Sequence, residues 1–218
     1  RSLVLSRTYR LDSRCDEQLV AADPDNRWLA RHARKRLDAE SLRDSVLFAS
    51  GNLDLRCGQG SAIEQNVSLI NWPPGEATTL HRDSHHRSVY LCMLRHSPPP
   101  EIAAFDLPDG IAVTSQRNVT TLPTQSLFLL NSPFIVQQAE AMAARMLADF
   151  GDDELRIEAV FRRTLLRNPS DVETKRSLAH LATIRDSLAQ LEPEQSRFKA
   201  WTSLCHGLLA TSEFRYVD

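Results

Sequence analysis

Apolar positions recur at helical spacing through the second half of the chain. Ile135, Ala139, Met142, Ala143, Met146, Leu147 and Phe150 form one stripe, opened by Ser132–Pro133 and closed by Gly151. Pro at a first helical position gives up only an N–H that has no partner there, and a Ser hydroxyl before it can accept from the first turn. Asp152 or Asp153 caps a second helix carrying Ile157, Val160, Phe161 and Leu165, which Asn168–Pro169 ends. Ser170 and Glu173 are spaced as a capping box for a third, striped by Leu178, Leu181, Ile184, Leu188 and Leu191. Pro193 introduces a fourth with Phe198, Trp201, Cys205, Leu208 and Ser212 on one face. Short joints between such helices predict antiparallel packing.

In the first half, Asp23, Pro24 and Gly51 frame a stretch that predicts one long helix over 24–50. Its apolar line changes face midway. Leu29, Ala33 and Leu37 mark one line, and Ala39, Leu42, Val46 and Ala49 another, which predicts contact with two neighbours. Residues 52–86 and 96–116, rich in Gly, Pro, Asn and Ser, read as long loops. Ser88–Arg95 is a strand or a short buried helix. The segment from Ser115 to Gln138 organises the chain, since polar residues there run through Pro123 into the apolar run Leu127–Leu130, which reads as core. The expectation is a mainly α, bundle-like single domain over 1–218, with long irregular loops and at most a minor β element.

Composition narrows the function. The 26 basic and 28 acidic residues nearly cancel, so nucleic acid is a poor expectation. No apolar run is long enough to span a membrane. Four scattered cysteines form no C-x-x-C and no C-x-x-C-H, so no zinc spacing of the usual kind and no covalent haem attachment occurs in this segment. The sequence begins on Arg1 within an apolar stretch and reads as a fragment of a longer protein.

Candidate chemistry is sparse, and no reaction can be read from it. Arg87, Tyr90, Arg117, Asn118, Gln125 and Asn131 are a candidate polar pocket, because a guanidinium offers a planar fork to carboxylate, sulfate or phosphate. The plainer reading has these groups capping helices and satisfying loop backbone. Arg27, Arg31, Arg34 and Lys35 are a candidate basic interaction face. His81, His85 and His86, with Asp83, are weak metal candidates lacking the helical i, i+4 pairing of metalloprotease sites. Asp38, Glu40 and Asp44 offer carboxylates, but Arg36 and Arg43 beside them make a salt-bridged surface the simpler account. Nucleotide loops and a G-x-S-x-G elbow are missing.

Nine motifs in order carry a resemblance. They are SRTYR (Ser6 to Arg10), DPDNR (Asp23 to Arg27), KRLDAESLRDS (Lys35 to Ser45), SGNLD (Ser50 to Asp54), RSVYL (Arg87 to Leu91), FDLPD (Phe105 to Asp109), RNVTTLPTQSLFLLNSPF (Arg117 to Phe134), RNPSDVE (Arg167 to Glu173) and SEFRYVD (Ser212 to Asp218). The chain resembles the planctomycete domain of unknown function found C-terminal to cytochrome c-like modules in large envelope proteins. It departs from that pattern at Gly58-Gln59-Gly60, where Gly-Gly-Pro is frequent, and at Ser115 and Gln116, where Cys and Arg are frequent. The resemblance implies a periplasmic or secreted parent, haem c in an upstream domain and no cofactor in this segment. It brings no established activity and no catalytic residue. The expected function is an interaction or structural module contacting upstream domains of the same polypeptide or an envelope protein or glycan. The alternative is a catalytic or ligand-binding domain for an anionic or polysaccharide substrate.

Overall fold

The computed structural model describes residues 1–57, 84–91, 93, 98–108, 113 and 115–217. Eight α-helices and one two-stranded sheet occur among them, so the domain is mainly α. Contacts divide the chain into two units, Arg1–Leu37 with Arg215–Asp218, and Asp38–Phe214.

The smaller unit holds the short helix α1 (Glu17–Ala22) and the antiparallel pair β1 (Lys35–Arg36) and β2 (Tyr216–Val217). Residues 24–38 are not helical, against the expectation from Asp23 and Pro24. Asn26 and Leu29 have left-handed backbone, with φ of 50° and 51°. The Asp23 carboxylate does accept backbone N–H groups, from Arg27 and Trp28 at 2.8 Å each, but it closes a loop and not a helical turn. Arg31 then donates to the carbonyls of Asp23 and Pro24, at 2.9 and 2.7 Å, and the Asn26 amide donates to the Arg31 carbonyl at 2.7 Å. Local polar bonding has outcompeted the helix ladder here. The change of apolar face near residue 38 marks the true start of the next helix.

That helix, α2 (Ala39–Ser50), opens the larger unit. Asp38 is its N-cap, accepting from the Ser41 N–H at 2.7 Å. Ala39, Leu42, Val46 and Ala49 are all buried, as the second apolar line predicts. A short helix, α3 (Pro100–Ala103), interrupts the expected 96–116 loop: Pro100 starts it and Ile102 is buried. The 52–86 loop lies mostly outside the described residues. Its flanks meet in a parallel bridge between Asp54 and His86. Ser88–Tyr90 is one turn of 3-10 helix, and not a strand.

Helix α4 (Pro123–Asn131) follows, then α5 (Pro133–Asp149), α6 (Asp153–Leu165), α7 (Asp171–Ser187) and α8 (Pro193–Leu209). Helices α5 and α8 form the centre, with α7 packed on α8, α2 on α5, and α6 against both α5 and α7. The core is Ile135, Ala139, Met142, Ala143 and Met146 from α5, Trp201, Cys205 and Leu208 from α8, Leu181 from α7 and Ile157, Val160 and Phe161 from α6. The run Leu127–Leu130 is core only in part. Leu129 is fully buried, but Leu127 and Leu130 are more than half exposed, because α4 touches α5 and α8 with one side only.

The helix ends explain the joints. Asp152 accepts from the N–H groups of Glu154 and Leu155, at 2.9 and 3.2 Å, and Ser170 and Glu173 form the reciprocal capping box. Pro133 starts α5, but the Ser132 hydroxyl makes no capping bond. Buried Arg156 closes the other end of α5 by donating to the carbonyls of Met146 and Phe150 and to Asp153. No helix among the described residues is long and apolar enough to cross a membrane.

Candidate functional site

The polar face of α2 gathers the residues expected to matter, although not as an open pocket. Glu40 and Asp44 stand one helical turn apart. Arg117 donates to both oxygens of Glu40, at 2.6 and 2.9 Å, and this fork raises the Arg117 pKa. The Arg87 Nε lies 3.6 Å from Asp44. The structure therefore brings Arg87 and Arg117 to one face of α2, each beside a carboxylate.

Between them is Arg43, which the sequence reading placed among surface ion pairs. It is buried, on the same stripe as Val46 and Leu47. Its guanidinium donates to the carbonyls of Ser84 at 2.5 Å and His86 at 3.0 Å, and to the Ser88 hydroxyl at 3.3 Å. Asp44 accepts from the Ser88 N–H and hydroxyl at 2.7 Å each. Burial lowers the Arg43 pKa, opposed by the charges of Glu101 and Asp44. The two residues clamp the segment that carries Arg87 and Tyr90. The burial of Arg43, though not its partners, was signalled in the sequence, because an arginine three and four residues before Val46 and Leu47 sits on the apolar face.

The remaining pocket candidates are placed elsewhere. Gln125 is fully buried and belongs to a cluster around Asp106, donating to its carboxylate at 3.4 Å and accepting from the Leu122 N–H at 3.3 Å. Asp106, itself at a φ of 53°, also receives the Thr120 hydroxyl at 2.5 Å and its N–H at 2.9 Å. The Asn131 amide turns back onto its own helix, donating to the Leu127 carbonyl at 2.9 Å. Asn118 is exposed. Tyr90 is exposed and hydrogen-bonded to Cys57, which raises the phenol pKa.

Arg27, Arg31, Arg34 and Lys35 share no helix face, since that stretch is loop and strand. Arg31 is tied to backbone carbonyls, Arg34 lies 4.9 Å over the Tyr216 ring and Lys35 is in β1. Of the histidines, His81 is outside the described residues and His85 is exposed. The buried Nδ1 of His86 has no hydrogen-bond partner and lies 3.6 Å from Asp54, whose carboxyl is held well below the usual range, chiefly by Arg56. Among the described residues no three His, Cys, Asp or Glu side chains are placed to hold a metal.

Two further polar clusters join distant motifs. At the end of α2, Gly51 takes the left-handed conformation that closes the helix. The Ser50 hydroxyl and Asn52 amide each donate to the Gln138 side chain at 2.8 Å, Arg145 donates to the Gly51 carbonyl at 3.1 Å and Arg163 to the Ala49 carbonyl at 2.8 Å. At the α6–α7 joint, Arg167 bridges Glu173 (2.7 and 2.9 Å) and Glu213 (2.5 and 2.9 Å). Arg167 and the Ser170 cap hold the Glu173 carboxyl down to about 2. RNPSDVE and SEFRYVD thus meet in one ion-pair cluster.

No curated protein and no solved structure matches the chain. The model of the family described as PSD1, protein of unknown function (DUF1553), matches residues 1–181. That span covers most of the chain and eight of the nine motifs quoted above, and the chain belongs to this family.

Proposed function

We propose that the chain is an interaction module of an extracytoplasmic, cytochrome c-associated multidomain protein, and that it contacts upstream domains of that polypeptide through its first unit. One observation carries the reading. In Arg1–Leu37 the large apolar side chains Leu3, Leu5, Tyr9, Trp28 and Leu29 are all more than half exposed, while the one fully buried residue is Asp23. An apolar surface without a core of its own marks an interaction site. The unit is also basic, with ten Lys and Arg against six Asp and Glu, although the whole chain is slightly acidic. The fitting partner surface is apolar with an acidic rim.

The extracytoplasmic and cytochrome-linked setting rests on the motif resemblance. The alternative, action on an anionic or polysaccharide substrate, draws on Arg87 and Arg117, and both guanidinium groups already face carboxylates of α2. Calorimetric titration of the chain with the upstream portion of the parent polypeptide tests the proposal. The expected result is micromolar association that weakens with salt and falls about tenfold or more in Trp28→Ala or Tyr9→Ala. Association indifferent to both substitutions, or none at all, refutes it.

A further inference from the structure

On the larger unit, away from the clamp under α2, one carboxylate stands among three guanidinium groups. Asp153 is the first residue of α6, Arg156 lies one turn further along it, Arg185 is in the last turn of α7 and Arg197 is near the start of α8. Arg156 donates to Asp153 at 2.6 Å, whereas Nη2 of Arg197 and Nη2 of Arg185 lie 3.6 and 3.9 Å from the same carboxylate.

The three arginines are not equivalent. Arg156 is buried and pinned, since it also donates to the carbonyls of Met146 and Phe150. The side chains of Arg185 and Arg197 are each 41% exposed, and their distances to Asp153 are too long for a hydrogen bond. Arg185 otherwise reaches only the Leu181 carbonyl of its own helix, through Nε at 3.4 Å. Among the described residues the Arg197 guanidinium donates no hydrogen bond. Both forks therefore keep free N–H groups beside one carboxylate that Arg156 already holds.

Charge counting narrows what fits there. Three cations and one carboxylate leave two positive charges, and no other carboxylate among the described residues lies within ion-pair distance of the three. The acidic residues closest along the chain, Asp186, Glu192 and Glu194, are exposed and pair with none of them. Asp153 opposes an incoming anion, but its charge is matched by Arg156 at hydrogen-bond distance, so the excess belongs to Arg185 and Arg197. A single carboxylate cancels half of that excess and fills one fork. A tetrahedral dianion cancels all of it and has oxygens for both.

We propose that Arg185 and Arg197 form a binding site for a sulfate or phosphate group, with Asp153, anchored by Arg156, holding the two forks side by side. The site uses no residue of the first unit and stands or falls apart from the interaction reading.

The test is calorimetric titration of the 218-residue chain with sodium sulfate and with sodium phosphate, against sodium acetate and sodium chloride at matched ionic strength. At pH 8 a phosphate group is mostly dianionic. The expected result is saturable binding of one or both dianions with a Kd on the order of 1 mM, about tenfold or more tighter than acetate, and the tighter of the two names the group. Arg185→Gln and Arg197→Gln should each weaken it about tenfold or more. Backbone amide shifts of the parent chain on adding the anion give a readout that needs no variant, and they should centre on the end of α7 and the start of α8. No saturable binding beyond that of chloride, acetate bound as tightly, undiminished binding by both variants, or shifts centred elsewhere each overturn the proposal.

Discussion

Replacing Gly51 by alanine separates two demands on one position. Gly51 has φ of 80°, and an added Cβ would lie 2.4 Å from the Arg145 Cζ and 2.6 Å from its Nη1. A left-handed alanine costs about 1.5 kcal/mol relative to glycine. Pushing Arg145 aside also breaks its bond to the Gly51 carbonyl, worth about 1 kcal/mol at this exposed site. The stiffer unfolded chain of alanine returns about 0.5 kcal/mol. Gly51→Ala should therefore destabilise by about 2 kcal/mol, a fall of about 4–8 °C in Tm for a chain of this size. Urea and thermal unfolding followed by circular dichroism give the value. In an Arg145→Ala background only the backbone strain remains, and the cost should drop to about 1 kcal/mol. A Gly51→Ala change within about 0.5 kcal/mol of the parent, or an undiminished cost without Arg145, refutes the reasoning.

Arg43→Met removes the clamp on residues 84–88 and leaves the carbonyls of Ser84 and His86 without their donor. It should cost about 3 kcal/mol and raise amide exchange across Ser88–Leu91, with the exchange of α8 unchanged as the control. Glu173 has a depressed pKa, so it stabilises the fold above its ordinary value of 4.5 and loses that contribution as pH falls toward about 2. Stability should decline across that window, and Glu173→Gln should flatten the decline while lowering stability at neutral pH; a parallel curve would contradict the Arg167 cluster. Cys205 is buried and its thiol is pushed up by desolvation, whereas Cys57 is exposed. Under native conditions a thiol reagent should label Cys57 and spare Cys205 until the chain unfolds, as peptide mass mapping will show.

The second half of the fold was legible because its signals are local. Ser170 with Glu173, Asp152, Pro133 and Pro193 each act within one turn of themselves, and each stands at the helix start that its chemistry predicts. The first half misled because Asp23 carries the same residue type as a cap but turns it to a loop, where Asn26 and Leu29 leave the right-handed region. Nothing in a stripe of Leu and Ala reports that. The clamp was hidden for another reason: Arg43 and Ser84 are 41 residues apart, and only packing brings them together. Arg117 with Glu40 spans 77 residues, so its fork could be proposed from composition but its partner could not.

The closure of α2 has a consequence for how the protein is made. The Ala49 carbonyl receives its side-chain donor from Arg163, 114 residues later, and the Ser50 hydroxyl reaches Gln138 across 88. At translation rates of about 5–20 residues per second, the first of these waits about 6–23 s after Ala49 is joined. During that interval the nascent helix has an unfinished end, and until α5 is made its stripe of Leu42, Val46 and Leu47 lacks the helix that it packs on. The ribosome thus completes this element from behind, and a chain stalled before α5 carries α2 as a sticky, frayed helix for chaperones to shield.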